Sequence, residues 1–282
     1  MLFILHETTV MKLTLTSLLL VTAAALPSDQ TLTVKGSDTM VILVQQWAEK
    51  YMGANKGAVI QVTGGGSGTG ISALINGTTD ICASSRPMKP SEIQKIRDKF
   101  GRGAVEIKVA KDGIALYVNE KNPVKDISVE QIRQIYTGKI TNWKQVGGSD
   151  AKIILYGREN NSGTYAYFKE EVLLNADFAA QTQSLPGTAG VVNTISRDVN
   201  GIGYGGSAYG KGIRELSVRK DANSPALTPT LKNIMSGNYP ITRFLFFYTR
   251  TRPEGAMKGF IDYALGAEGQ KLVADVGYFP LR

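Results

Sequence analysis

The sequence predicts an α/β fold with largely parallel sheets. Short apolar runs of strand length alternate with longer segments whose apolar residues recur at helical spacing, from residue 31 to the C-terminus. Glycine and small hydroxyl residues stand at several junctions where a predicted strand passes into a predicted helix. Alternation of this kind is typical of a chain whose strands lie side by side under covering helices.

The first half of the chain supplies a regular series of elements. We expect strands at 31–36, 58–64 and 80–85, and two strand-like runs within 105–119. We also expect a helix over 41–53, a short helix that ends at Gly77, and a helix that begins at Ser91 and ends at Gly101.

The second half continues the same pattern. Helices are predicted over 128–138, 162–174 and 190–199, with closing helices within 254–277. Strands are predicted over 151–157, from residue 201 onward, and over the strongly apolar run 241–249. No internal repeat of about 20–50 residues divides the chain.

Composition places the chain among soluble globular proteins. Of its 282 residues, 43% are hydrophobic and 20% are charged, and the length suffices for two lobes of ordinary domain size. The formal net charge of +8 suits an anionic ligand or a nucleic acid. Because the basic residues are scattered and form no continuous block, we expect no nucleic-acid partner.

Residues 1–25 are predicted to be a cleaved signal peptide. Lys12 precedes the apolar run 13–25, which ends in small residues, as in a secretory signal. We therefore expect a periplasmic protein that begins near Leu26. The run is short for a membrane-spanning helix, although an uncleaved anchor stays open as the alternative. No Cys stands near the cleavage region, so we expect no lipid anchor, and translation can start at Met1 or Met11.

Two rare residue types limit the chemistry. The single Cys, Cys82, lies in an apolar stretch and is expected to be a buried core residue. The single His, His6, lies in the segment predicted to be removed. Such a mature chain has no Ser-His-Asp triad, no disulfide and no Cys- or His-based metal site. We therefore expect a protein that is not an enzyme and that carries no cofactor and no metal.

Four junction loops have the composition of anion-binding loops. Glycine lets the backbone approach an anion, Ser and Thr donate hydrogen bonds, and helix starts present free N–H groups. Ser and Thr before a helix are also ordinary N-caps, so the four loops together, rather than any one of them, indicate an anion site. The loops are 36–40 (GSDTM), 64–70 (GGGSGTG), 84–87 (SSRP) and 158–164 (RENNSGT). Arg158 adds a planar cation suited to an oxyanion.

Two glycine patterns are similar to nucleotide-binding motifs without matching them. The run 64–70 is not followed by the Lys-Ser or Lys-Thr pair that a P-loop requires. Residues 201–206 (GIGYGG) have the spacing of a dinucleotide-binding loop, but they follow a predicted helix and lie in a predicted strand. Nucleotide binding is therefore not expected.

Segments spread over most of the chain have the order and spacing of one known family. They are GSDTM, GGGSGTGISALINGTTDI, ASSRPM, GRENNSGTY, NGIGYGGSAY, YPITRFLFFYT and EGQKLVADVGYFPL. From about Thr31 to its end, the chain resembles the phosphate-binding proteins of bacterial ABC-type phosphate transporters. The resemblance implies a receptor that captures inorganic phosphate and delivers it to the membrane permease of an ABC importer. We expect it to act as a monomer.

The resemblance also implies the architecture. It is a two-lobed periplasmic-binding-protein-like (type II) fold, with a ligand cleft between α/β lobes that two crossing segments join. Lobe 1 would comprise residues 26–113 and 241–282, and lobe 2 would comprise residues 114–240. The runs GIALYVN and FLFFYT are the expected crossing strands. Closure of the cleft on its ligand would be a hinge motion.

The phosphate site that the resemblance implies can be assigned residue by residue. The match to R-x-x-x-S-G-T implies that Arg158 supplies its guanidinium group and Gly163 its N–H group. The other implied ligands are the hydroxyl groups of five residues and one backbone N–H: Thr39, Ser67, Ser85, Ser162 and Thr164, and the N–H of Met40.

One position departs from the family pattern. Many relatives carry an Asp, in an A-S-D segment, that accepts a hydrogen bond from the proton of phosphate; here Ser85 stands there, followed by Arg86. Such an acceptor rejects sulfate, which has no proton at neutral pH. Asp38 is our candidate substitute, with a capping role as its alternative, and Arg86 is a candidate for added positive charge. Two alternative functions stay open. The protein could be a receptor for sulfate, arsenate, molybdate or a phosphorylated small molecule, or an enzyme that acts on phosphate esters.

Overall fold

The computed structural model describes residues 31–281. The predicted signal peptide (1–25), His6 and the predicted start of the mature chain near Leu26 lie outside the described residues. Within residues 31–281, no helix has both the length and the apolar character needed to cross a membrane.

The first part of the chain forms a parallel sheet with intervening helices. Its elements are β1 (Leu32–Gly36), α1 (Val41–Ala54), β2 (Ile60–Thr63), α2 (Ser67–Asn76), β3 (Ile81–Ser84), α3 (Pro90–Phe100) and β4 (Val105–Val118). β1 lies between β2 and β3 and is parallel to both, so the carboxyl ends of these three strands meet at one edge. The strands and helices predicted before residue 101 are all present, with small differences at their ends.

The second part of the chain builds the other lobe. Its elements are β5 (Asp126–Ser128), α4 (Val129–Tyr136), a 3-10 turn (Trp143–Val146), β6 (Ile154–Arg158), α5 (Gly163–Tyr167), β7 (Gln183–Leu185), α6 (Gly187–Ile195), β8 (Gly201–Gly206), β9 (Arg214–Arg219) and α7 (Leu231–Met235). β6 is parallel to its neighbours β7 and β8. The GIGYGG segment is β8, as predicted. Four elements were not predicted: β5 and β7, with three residues each, the single-turn helix α7, and the six-residue strand β9, which alternates polar and apolar residues only briefly.

Two long strands connect the lobes. The first part of β4 pairs with β10 (Thr242–Thr249), and its second part, from Ile114 onward, pairs with β8 and β9. The two strand-like runs predicted within 105–119 are therefore one continuous strand. β10 returns the chain to the first lobe, where α8 (Gly255–Leu265) and α9 (Ala267–Val276) pack against α1.

The expectation of largely parallel sheets is only partly correct. The sheet order is β2-β1-β3-β10-β4-β8-β6-β7, with β9 also on β4 and β5 on β9. β10 is antiparallel to both β3 and β4, and β4 is antiparallel to β8 and β9. The physical reason is the crossing itself: a chain that leaves one lobe along β4 and returns along β10 must run in opposite directions past the same point.

The buried apolar side chains form separate cores. One core combines residues 32–110 with residues 245–278 and includes Trp47, whose Nε1 donates to the Gly269 carbonyl oxygen at 2.8 Å. Another draws on residues 114–241 together with Phe279, and in it Phe168 stacks on Tyr204 with ring centroids 3.9 Å apart. This division supports the predicted lobes, with residues 26–113 and 241–282 in lobe 1 and residues 114–240 in lobe 2. The boundaries themselves stay a prediction from the sequence.

Two local features differ from the sequence prediction. α3 begins at Pro90 rather than Ser91, because Pro suits the first helical position and the Glu92 carboxylate accepts the N–H of Lys89 at 2.7 Å. The helix predicted over 162–174 is α5 followed by a π-helical turn (Phe168–Val172). It ends where Leu174 and the next residue take left-handed backbone conformations.

The start of α4 provides a test of these local assignments. The Ser128 hydroxyl accepts the N–H of Gln131 at 3.2 Å, and Gln131 Oε1 accepts the N–H of Ser128 at 2.9 Å. Ser128→Ala should lower the free energy of unfolding by about 1 kcal/mol, because the helix loses its N-cap. The control Ser91→Ala, in an exposed position, should change it by less than about 0.5 kcal/mol. Urea denaturation followed by circular dichroism measures both, and equal losses would contradict the assignment.

Candidate functional site

The four predicted anion loops converge between the lobes. Three of them follow β1, β2 and β3 at one edge of the first sheet, and the fourth connects β6 to α5. Direct hydrogen bonds join the two sides. The N–H of Gly68 donates to the Asn161 carbonyl oxygen at 2.9 Å, and Asn161 Nδ2 donates to the Gly65 carbonyl oxygen at 3.0 Å. The cleft is therefore closed in this structure.

Four of the predicted hydroxyl ligands form one buried cluster, in which no member is more than 1% exposed. Thr39 Oγ1 and Thr164 Oγ1 lie 2.8 Å apart across the cleft. Ser67 Oγ accepts the N–H of Ser85 at 3.0 Å and lies 3.3 Å from Ser85 Oγ. Because a hydroxyl group both donates and accepts, these groups satisfy one another here and can rotate their protons toward an anion.

The first residue of α5, Gly163, packs directly against this cluster. A Cβ atom on Gly163 would lie 2.3 Å from Ser67 Oγ and 2.7 Å from Ser85 Oγ. Real Cβ atoms do not approach oxygen so closely, so this contact between the lobes requires glycine. The arrangement places Gly163 of one lobe against the Ser67 and Ser85 hydroxyl groups of the other.

Two further predicted ligands form local hydrogen bonds at helix starts. Ser162 Oγ accepts the N–H groups of Thr164 and Tyr165 at 3.2 and 3.3 Å, which leaves the hydroxyl proton for another acceptor. The N–H of Met40 donates to the Ser37 carbonyl oxygen at 3.0 Å, and the Met40 side chain is fully buried in the core. The Met40 N–H group can serve an anion only by sharing or exchanging this bond.

Arg158 is a buried cation at the end of β6, only 2% exposed. Its Nη2 donates to Asp38 Oδ2 and its Nη1 to Thr188 Oγ1, both at 2.8 Å, while Nε has no partner among the described residues. Burial lowers the pKa of the guanidinium group, and the Asp38 carboxylate acts in the opposite direction. The group stays charged because its ordinary pKa is above about 12.

Asp38 connects three of the converging loops. Its Oδ1 accepts the N–H of Gly65 at 2.7 Å, its Oδ2 accepts Arg158, and its carbonyl oxygen accepts the Tyr209 hydroxyl at 2.7 Å. Both carboxylate oxygens therefore hold donors. These bonds favour the role of a clamp across the cleft for Asp38 over the role of proton acceptor that the sequence suggested.

Arg86 does not face the cluster, contrary to the hypothesis that it adds charge there. Its guanidinium group binds both carboxylate oxygens of Glu92, at 2.7 and 2.8 Å, and also the Pro87 carbonyl oxygen at 2.8 Å. The physical reason is the start of α3, where the Glu92 carboxylate offers a bidentate partner six residues away. We therefore leave Arg86 out of the candidate site.

Two charged residues that were not predicted from the sequence also reach the cluster. Arg243 in β10 and Asp112 in β4 are opposite each other in the register of the two crossing strands. Arg243 Nε and Nη2 donate to Asp112 Oδ2 at 3.0 and 2.8 Å. Nη2 also donates to Thr164 Oγ1 at 3.0 Å, and Nη1 donates to the Ser85 carbonyl oxygen at 2.9 Å. Burial raises the pKa of the Asp112 carboxyl group, and Arg243 opposes that rise.

A signal for this pair is present in the sequence. Arg243 interrupts an apolar run that predicts a buried strand, and Asp112 directly precedes another. Charged side chains are rarely buried without a partner, so each position indicates that an opposite charge lies nearby. The sequence does not indicate which residue supplies it.

The fold and the site together define a class. Two α/β lobes that close over buried hydroxyl groups and guanidinium groups are typical of solute-binding proteins with an anion site between the lobes. A family model described as a PBP superfamily domain matches residues 21–268. The chain belongs to this superfamily and, within it, to the family of the PstS phosphate-binding proteins, as the following relatives show.

The relatives match over most of their length. The phosphate-binding protein PstS of Pseudomonas aeruginosa is 34% identical over 263 residues, covering 87% of this chain and 81% of that protein. The PstS protein of Bacillus subtilis is 37% identical over 252 residues, covering 89% and 80%. These relatives are named as binding proteins and not as enzymes, in agreement with the sequence-based expectation.

Solved structures confirm the predicted two-lobed fold. A protein from Clostridium perfringens, described as a phosphate ABC transporter substrate-binding protein with bound phosphate, gives a TM-score of 0.81 at 30% identity, covering 89% of this chain and all of that one. An ABC-type phosphate transport receptor from Vibrio cholerae gives a TM-score of 0.71 at 29% identity, covering 88% and 99%.

The Arg243–Asp112 pair predicts a large effect on stability. Arg243→Gln leaves the Asp112 carboxylate buried without its counter-charge, so the free energy of unfolding should fall by about 3–5 kcal/mol. As a control, Lys271→Gln removes an exposed pair with Asp275 and should cost less than about 1 kcal/mol. Urea denaturation without added anions measures both variants. A loss below 1 kcal/mol for Arg243→Gln would contradict the buried pair.

Proposed function

We propose that this protein captures inorganic phosphate between its lobes and delivers it to the permease of an ABC importer. One observation carries the proposal: hydroxyl groups from four loops and two guanidinium groups are buried together where the lobes meet. The names of the relatives and the phosphate bound to the Clostridium perfringens protein support the choice of ligand.

The chemistry of the cluster suits a small oxyanion. Phosphate presents oxygens that accept several hydrogen bonds each, and the cluster supplies O–H, N–H and guanidinium donors. The proposed ligands are Thr39, Ser67, Ser85, Ser162 and Thr164 through their hydroxyl groups, Met40 and Gly163 through their N–H groups, and Arg158. Bonds to a charged partner contribute about 1.5–3 kcal/mol each. Micromolar affinity requires about 8 kcal/mol, so a few such bonds suffice even after ordering costs.

Phosphate binding would exchange the existing bonds of the cluster for bonds to the ligand. The Thr39–Thr164 pair joins the two lobes directly, and the Ser67–Ser85 pair lies against Gly163 of the opposite lobe. A ligand that accepts from both sides replaces these contacts and links the lobes through itself. Binding and closure are then coupled, as in other hinge-closing binding proteins.

The same proposal includes the place of action and the partners. The predicted signal peptide over residues 1–25 supports a periplasmic location, without a lipid anchor. The membrane partner is the permease of an ABC importer, and the receptor acts as a monomer. Among residues 31–281, no group of three or more His, Cys, Asp and Glu side chains could hold a metal ion. Inorganic phosphate is the proposed small-molecule partner.

The first test of the proposal concerns Arg158. Arg158→Ala removes a buried cation from the site and should weaken phosphate binding by about 2–5 kcal/mol, or roughly 30- to 4,000-fold. The control Arg197→Ala removes an exposed arginine of the same lobe and should leave the affinity unchanged. Calorimetric titration of phosphate-stripped protein measures both. An Arg158→Ala affinity within threefold of the parent would show that the site is wrongly assigned.

A second test concerns closure of the cleft. Gly163→Ala places a methyl group against the Ser67 and Ser85 hydroxyl oxygens and should weaken phosphate binding by about 1–3 kcal/mol, or roughly 5- to 150-fold. The matched control is Gly190→Ala in α6, where the new methyl group meets Pro186 at an ordinary 3.9 Å. The same titration applies. Unchanged affinity in Gly163→Ala would rule out ligand binding in the closed arrangement seen here.

A further inference from the structure

A phosphate receptor must distinguish phosphate from sulfate, and hydrogen-bond donors alone cannot do so. The two anions share their shape and accept the same bonds. At neutral pH phosphate carries a hydroxyl group, whereas sulfate carries none. A buried acceptor that has no hydrogen of its own can accept a hydrogen bond from that hydroxyl group. With sulfate, the same acceptor would face a sulfate oxygen with no hydrogen between them, which is repulsive. An ionised carboxylate is such an acceptor.

Two carboxylates touch the candidate site. Asp38 holds a donor on each of its oxygens, Gly65 on one and Arg158 on the other. Asp112 is fully buried, and its Oδ2 holds both bonds from Arg243. Its Oδ1 accepts no hydrogen bond from any residue in the described range 31–281. A buried acceptor without a donor is costly and is tolerated mainly at functional sites.

The free oxygen of Asp112 lies beside the ligand cluster. A Cβ atom on Gly206 would meet Asp112 Oδ1 at 2.9 Å and Thr39 Cγ2 at 3.2 Å, so both side chains border the same point. Arg243 Nη2 donates to both Asp112 Oδ2 and Thr164 Oγ1, so one guanidinium group connects Asp112 with Thr164. Thr39 and Thr164 are the two hydroxyl ligands that meet across the cleft.

We propose that Asp112 is the specificity-determining residue of this site: its Oδ1 accepts the hydrogen bond from the hydroxyl group of bound phosphate and thereby excludes sulfate. The inference rests on the proposed phosphate function and deepens it. Ser85 occupies the position where the carboxylate was expected from the sequence, and Asp112 supplies that group from the crossing strand β4.

Arg243 is the positioning residue for this acceptor. A guanidinium group donates and never accepts, so it fixes Oδ2 and directs Oδ1 away from itself. In Asp112→Asn, the same guanidinium group would hold the amide oxygen at the Oδ2 position. The amide NH2 group would then take the place of Oδ1, and a donor would replace the acceptor.

The test is calorimetric titration of the parent and its variants with phosphate and with sulfate at neutral pH. Asp112→Asn should weaken phosphate and strengthen sulfate, so that the ratio of the two affinities falls at least tenfold. Asp38→Asn, which loosens the clamp on Arg158, should weaken both anions and keep their ratio. Glu106→Gln changes an exposed carboxylate of the same strand, whose hydrogen-bond donor is the Tyr248 hydroxyl group, and should alter neither affinity.

The outcomes separate this inference from the function on which it rests. A parent that binds phosphate no better than sulfate overturns both. A parent that prefers phosphate, with an unchanged ratio in Asp112→Asn, overturns only the role of Asp112. If Asp112→Asn does not fold, the double variant Asp112→Asn with Arg243→Gln removes both buried charges together and should fold more readily. Its ratio should also fall at least tenfold, and an unchanged ratio overturns the inference.

Discussion

The buried ion pair between Asp112 and Arg243 is the interaction on which the site depends. It joins β4 and β10, the strands that carry the chain out of the first lobe and back. Such a pair stabilises a fold only when its remaining donors are satisfied. Here Arg243 directs its other bonds to the Ser85 carbonyl oxygen and the Thr164 hydroxyl group, one on each side of the cleft. The connection between the lobes and the ligand loops is thus one continuous hydrogen-bonded unit.

Pairing of charges explains how a site for an anion can close with two arginines inside it. An unpaired buried guanidinium group would be strongly destabilising. Arg158 is therefore held by Asp38, and Arg243 by Asp112, so the two cations are already balanced. The hydroxyl groups, which both donate and accept, can satisfy one another or a ligand without a change of charge. Glycine at position 163 lets the two sides meet closely enough for this exchange.

Much of the site was predictable because its parts are local. Glycine and hydroxyl residues at strand-to-helix junctions marked the four loops, and the structure brings them to one place. Arg86 and Asp38 could not be placed in this way. Whether Arg86 faces Glu92 or the cleft depends on the turn that starts α3, and the partners of Asp38 come from loops 27 and 120 residues away. Short strands such as β5 and β7, with three residues each, offer too little periodicity to be recognised.

The sequence by itself determined most of the strands and helices, the anion loops and the resemblance to a family, because periodicity, helix caps and glycine conformations act over a few residues. Tertiary structure alone decided that β4 and β10 run antiparallel through the crossing, and that Asp112 and Arg243 meet there across 131 residues of chain. That meeting follows from strand register, which depends on the packing of both lobes at once. A charged residue in an apolar run indicates that an opposite charge lies nearby, but only the folded structure identifies that partner.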